Sequence, residues 1–146
     1  MNRALSTISL ALLIAACQPN GGNASVPGDA SDHAPFAGIA PDDTIHFTGT
    51  EPFWGGETTG ERLTYSTPDD PQGTTIAVRR FAGRGGLSLS GAMNGQQFDL
   101  TVTTGQCSDG MSDRTYPFVV TLLIGGETRN GCAWTDAKGF TGPENP

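Results

Sequence analysis

Two carboxylates, Glu51 and Asp113, stand in the two most distinctive segments of this chain. A pair of such acids, held about 5 to 9 Å apart at different pKa values, can cleave a glycosidic bond. Nothing else in the sequence supports that chemistry. There is no Gly-x-Ser-x-Gly elbow and no His-Glu-x-x-His string, and the chain has only two histidines, His33 and His46. His33 falls in a polar stretch unsuited to fixing a catalytic base. His46, flanked by Ile45 and Phe47, belongs on the wet face of an early strand. The sequence therefore points to a non-catalytic protein, with no catalytic residue, cofactor or metal site assigned.

The first distinctive segment, Gly49 to Gly55, reads GTEPFWG. Pro52 fixes its own φ and biases Glu51 toward an extended backbone. On a structural reading, Phe53 or Trp54 plugs one end of the domain and Glu51 accepts backbone hydrogen bonds that close the turn. On a binding reading, Glu51, Phe53 and Trp54 line a pocket mouth, the carboxylate giving direction and the aromatic rings giving area. The second segment, Cys107 to Pro117, reads CSDGMSDRTYP. Its short polar side chains can bond their own backbone, which suits a compact ordered loop. Asp109, Met111, Ser112, Asp113, Arg114 and Tyr116 are its candidate binding residues. Met111 is expected to fill a gap under the loop, and Asp113 with Arg114 to form a surface ion pair worth about 0 to 1 kcal/mol. The string lacks the alternating oxygen ligands of a calcium loop.

The amino end carries Arg3 and then an apolar run from about Ala4 to Ala15, the pattern of a secretory signal and too short for a comfortable membrane span. Ile14-Ala15-Ala16-Cys17 resembles the bacterial lipobox, which implies a mature chain beginning at a lipidated Cys17. With Gln18 following, the Gram-negative sorting pattern implies the outer membrane, facing the periplasm. The remaining cysteines, Cys107 and Cys132, form an exported pair without another thiol, and one disulfide is the simplest reading. A two-ligand metal site is the weaker alternative. Net charge is −7 over the whole chain. That sign argues against nucleic acid as a partner, and Arg79, Arg80 and Arg84 are too few to reverse it.

The organisation read from these features is a signal peptide at residues 1–16, a lipidated flexible tether at 17–38, one domain at 39–141 and a short tail at 142–146. The tether follows from composition, since residues 18–35 hold almost no large apolar side chain. Glycine is abundant, 21 residues of 146, and no window carries an apolar stripe at helical spacing, so the domain should be all-β. Leu87 to Thr104 alternates apolar and polar residues around Asn94-Gly95 and predicts a hairpin. Further strands are expected at Thr44–Thr48, Phe53–Thr58, Leu63–Ser66, Thr74–Arg80, Tyr116–Ile124 and Cys132–Thr135. Turns are expected at Thr59-Gly60, at Asp69 to Gly73, at Gly83 to Gly86, at Gly125-Gly126 and at Asn130-Gly131. About eight short strands predict a small antiparallel barrel, with a two-sheet sandwich as the alternative.

The strings Gly49 to Trp54, Cys107 to Pro117 and Gly131-Cys132 together resemble a family of small bacterial envelope lipoproteins of unassigned biochemical role. The resemblance implies membership rather than an activity. The function expected from the sequence is a non-catalytic envelope lipoprotein whose β domain is structural or binds an envelope protein, a glycan or a small ligand. The rival expectation is an inhibitor of a cell-wall hydrolase such as lysozyme, using an exposed polar loop.

Overall fold

The structure, a computed structural model, describes residues 34–143. The expected signal, the lipidated Cys17 and most of the tether lie outside the described residues. Eight strands follow one another: β1 (Ile45–Thr50), β2 (Phe53–Thr59), β3 (Arg62–Thr67), β4 (Asp70–Ala82), β5 (Gly86–Met93), β6 (Gln96–Cys107), β7 (Tyr116–Ile124) and β8 (Glu127–Thr135). Each pairs antiparallel with the next, and β1 pairs with β8, so the sheet closes into a barrel. The barrel, not the sandwich, is the architecture. Closure leaves no unpaired strand edge, which matters for a chain so poor in lysine.

Alternation along the strands builds the interior. Ile45 and Phe47 of β1, Leu63 and Tyr65 of β3, Phe98, Leu100 and Val102 of β6, and Phe118, Val120 and Leu122 of β7 are all buried in one cluster. An eight-stranded barrel is just wide enough for side chains to fill it, and here they do. The expected hairpin forms with Asn94 at φ 53° and Gly95 at φ 78°, the positive values a tight turn demands.

Two expected turns fall differently. Asp69 to Gly73 was expected to reverse the chain, but the reversal falls at Pro68-Asp69 and β4 already runs from Asp70. The Asp70 carboxylate accepts from the Gly73 N–H at 3.1 Å and the Thr74 hydroxyl at 3.0 Å, and the β3–β4 register slips between Tyr65 and Thr67. The turn-forming residues thus make an irregularity within the ladder. Asn130-Gly131 lies inside β8, and the β7–β8 reversal is made by Gly125-Gly126. Gly131 answers a close approach instead, since a Cβ there would stand 2.2 Å from the Thr48 carbonyl oxygen.

Up-and-down topology gives the barrel two unlike ends. The segment before β1 covers one of them: Ile39 is buried, the Phe36 N–H donates to Gly83 O at 2.6 Å, and Phe36 packs against the core ahead of the expected domain start at residue 39. Arg80 holds this strap, donating to Ile39 O at 2.8 Å and Ala40 O at 3.3 Å. Arg80 is therefore engaged with the strap and is not free to form a patch with Arg79 and Arg84. The other end carries the β1–β2, β3–β4, β5–β6 and β7–β8 turns.

Candidate functional site at the barrel mouth

Glu51 and Pro52 make the β1–β2 turn through a cis peptide bond, and Pro68 and Asp69 make the β3–β4 turn beside it. Between the two turns opens a cleft of about 550 Å³, lined by Glu51, Pro52, Phe53, Pro68, Asp69 and Arg129 among others. Alternation places the two aromatics of the GTEPFWG string on opposite sides of β2: Phe53 is 53% exposed and borders the cleft, while Trp54 is 3% exposed and fills the barrel. Trp54 fills the barrel as the structural reading expected, and Phe53 stands at the cleft. Glu51 is exposed at the cleft, and the structure shows no backbone hydrogen bond made by its carboxylate.

Beneath the cleft lies a polar group that the sequence analysis did not single out. Glu127 and Arg129 are two residues apart on β8 and so share a face. Arg129 donates Nε and Nη2 to the two Glu127 carboxylate oxygens at 3.1 and 2.9 Å, and Nη1 to the Tyr65 hydroxyl at 2.6 Å. These bonds from Arg129 to the Glu127 carboxylate push the guanidinium pKa upward and pull the Glu127 carboxyl downward. Burial raises the Tyr65 phenol, which stays neutral, while Arg129 opposes that rise. Tyr65 also stacks on Trp54 with 6.1 Å between centroids and meets Phe98 edge-on at 5.7 Å. The Glu-x-Arg spacing in a strand was the available signal for this group.

The Trp54 indole lies over Gly49 and Gly131. A Cβ on Gly49 would stand 2.1 Å from Trp54 Nε1, and one on Gly131 would stand 3.0 Å from its Cζ2. Trp54 Nε1 is buried with no hydrogen-bond partner among the described residues. Such a donor carries a penalty of about 1–3 kcal/mol.

The second distinctive segment does not reach the mouth cleft. Cys107 and Cys132 are bridged, as expected, with Cα atoms 5.5 Å apart. The Asp109 carboxylate accepts from the N–H groups of Met111 and Ser112, from the Ser112 hydroxyl at 2.7 Å and from the Tyr116 phenol at 3.1 Å. Desolvation works to raise its pKa, but these donors outweigh it and bring the carboxyl to about 2. This is the self-bonded loop the sequence predicts, with Asp109 as its organiser and not a group aimed outward. Met111 does not fill a gap: it is 68% exposed, because the loop closes through polar bonds and leaves nothing apolar for it to cover. Arg114 turns from Asp113 to the C-terminal segment, donating to Pro143 O at 2.8 Å and lying over the Phe140 ring at 4.6 Å. Tyr116 is buried against Trp134 and Phe140.

The expected site residues are thus divided. Glu51 and Phe53 line the mouth cleft; Trp54 lies under the wall; Asp109 borders a smaller groove beside the disulfide; Asp113 lies against Gly142. Glu51 and Asp113 share no cleft, so the arrangement does not assemble the carboxylate pair that glycoside hydrolysis requires. Among the described residues no group of three or more His, Cys, Asp or Glu side chains is placed to hold a metal ion.

Fold and site together define an all-β binding or structural domain: a closed eight-stranded antiparallel barrel, stapled by one disulfide, with an acidic open mouth. No family model, curated protein or solved structure matches the chain.

Proposed function

We propose that this chain is a non-catalytic envelope lipoprotein, lipidated at Cys17 and held at the outer membrane, whose barrel binds a partner or ligand at its mouth. The single observation that carries the binding reading is the 550 Å³ cleft between the β1–β2 and β3–β4 turns, with the exposed Phe53 ring on its wall. Barrel mouths are preferred sites for ligands, and this volume lies within the range of about 300–1,000 Å³ usual for small-molecule sites. The packed interior supports the same choice, because it leaves the ligand the mouth and not the lumen. The anchoring reading rests on the Ile14-Ala15-Ala16-Cys17 string, and membership of the lipoprotein family rests on the two distinctive segments.

Two measurements test the proposal. Cys17→Ala should shift the protein from the membrane pellet to the soluble fraction; retention in the pellet would remove the anchor. A fragment screen by NMR on the 15N-labelled chain should concentrate its hits on the amides of Glu51, Phe53, Asp69 and Arg129. Hits gathered on another surface would remove the mouth.

A further inference from the structure

The chemical class of the occupant follows from how charge is distributed over the barrel. Of the seven cations among the described residues, six lie away from the mouth by topology: Arg62 opens β3, Arg79 and Arg80 fall late in β4, Arg84 is in the β4–β5 turn, Arg114 lies on Phe140, and Lys138 follows β8. Arg129 is the exception, and its fork is spent on Glu127 while Nη1 is spent on Tyr65. It contributes no net positive charge to the cleft and is not free to receive a ligand anion. The two other charged residues of the lining are Glu51 and Asp69, both exposed, one from each of the turns that form its walls. The rest of the lining is the apolar surface of Pro52, Phe53 and Pro68 together with Thr50 and Thr67.

We propose that the mouth takes a lysine or arginine side chain presented by a basic protein partner, the carboxylates of Glu51 and Asp69 receiving the cation and Phe53 with the two prolines covering its aliphatic stem. This rests on the mouth being the binding site and names what enters it. A long cationic side chain has an apolar stem and a charged head, the same two requirements the lining presents. A cation over an aromatic face adds attraction, and Phe53 supplies an exposed ring. The acidic balance of the whole chain, −7, extends the same preference to long range, where it speeds encounter with a basic surface. An anionic or neutral occupant would leave Glu51 and Asp69 facing it unpaired.

The test uses the full mature chain, 15N-labelled, titrated with tetralysine, with Nε-acetylated tetralysine and with tetraglutamate. Tetralysine should shift the amides of Glu51, Phe53 and Asp69, and its affinity should fall at least tenfold between 20 and 300 mM salt as well as about tenfold in the Glu51→Gln/Asp69→Asn double variant. Both substitutions are on exposed turns, and unchanged far-UV circular dichroism confirms that the barrel persists. Acetylated tetralysine binding the mouth as well as tetralysine, or tetraglutamate binding it better, would overturn the cation while leaving the mouth intact. Tetralysine shifts mapping to another face, or undiminished binding to the double variant, would overturn the assignment of Glu51 and Asp69. Absence of any tetralysine shift at millimolar peptide would overturn the inference outright, and the fragment screen then decides separately whether the mouth binds anything.

Discussion

Arg129 reaches across the inside of the barrel to the hydroxyl of Tyr65 at 2.6 Å, joining β8 to β3, two strands that share no ladder. The contact closes the core beneath the mouth and fixes the floor on which the cleft rests. Arg129→Met keeps the length of the side chain but returns Glu127 to water and leaves the phenol without its donor. The expected cost is about 1–3 kcal/mol, the range for a hydrogen bond to a charged group plus an unsatisfied partner. In a domain of this size that lowers Tm by roughly 5–15 °C. Because Arg129 opposes the burial that raises the Tyr65 phenol, its removal should also move the tyrosine titration to higher pH, read by ultraviolet absorbance.

Gly49 and Gly131 form the bed of the Trp54 indole. Gly49→Ala would place a methyl group 2.1 Å from Trp54 Nε1 and 2.3 Å from Cε2, so the ring must move or β1 must part from it. A loss of 3 kcal/mol or more is expected, well above the usual range for a surface substitution. Trp54→Phe is the contrast. It gives up ring area but deletes the buried N–H that has no partner, so it should cost clearly less than the Gly49 variant. Urea unfolding of the two variants side by side checks the order.

Most of the architecture was legible from alternation and turn chemistry. Leu87 to Thr104 announced its hairpin because period-two alternation and Asn94-Gly95 agreed, and the apolar run of β7 announced a strand. The misreadings came where one residue type serves two purposes. Gly131 looks like a turn residue, yet its role is to admit the backbone of Thr48, a long-range contact that no local pattern encodes. Asp70 to Gly73 has turn chemistry, but pairing with β3 absorbs it into the ladder. For the site, GTEPFWG marked the right corner, and alternation decided which aromatic faces out. Arg129 was missed because its partner Tyr65 is 64 residues away, although Glu127 two positions before it shares its face.

The disulfide closes a loop with a sequence separation of 25 residues and ties the end of β6 to the middle of β8. By the chain-entropy account its removal should cost about 3 to 3.5 kcal/mol, chiefly through the unfolded state. Cys107→Ser/Cys132→Ser should therefore lower the urea midpoint with a near-native spectrum retained. Because Cys132 is 1% exposed, dithiothreitol should reduce the bridge of the folded wild type only slowly, and thiol labelling against time measures this.

Asp109 makes the acid limb of stability predictable. Its carboxyl sits at about 2 in the folded loop, while an aspartate in the unfolded chain titrates near ~3.9. As pH falls the unfolded state takes up the proton first, so the stabilisation is complete above about pH 5, declines through pH 3 and has gone once pH passes below about 2. The group is half-buried, and solvent screening trims its contribution to the order of 1–2 kcal/mol. Asp109→Asn should cost that amount at pH 7, because a neutral amide accepts the Ser112 and Tyr116 hydrogen bonds less strongly. It should also flatten the dependence between pH 4 and 2, so that wild type and variant converge near pH 2. Urea unfolding of both proteins at pH 7, 4, 3 and 2 measures the gap. A gap as wide at pH 2 as at pH 7 would mean that the charge on Asp109 is not what holds the loop.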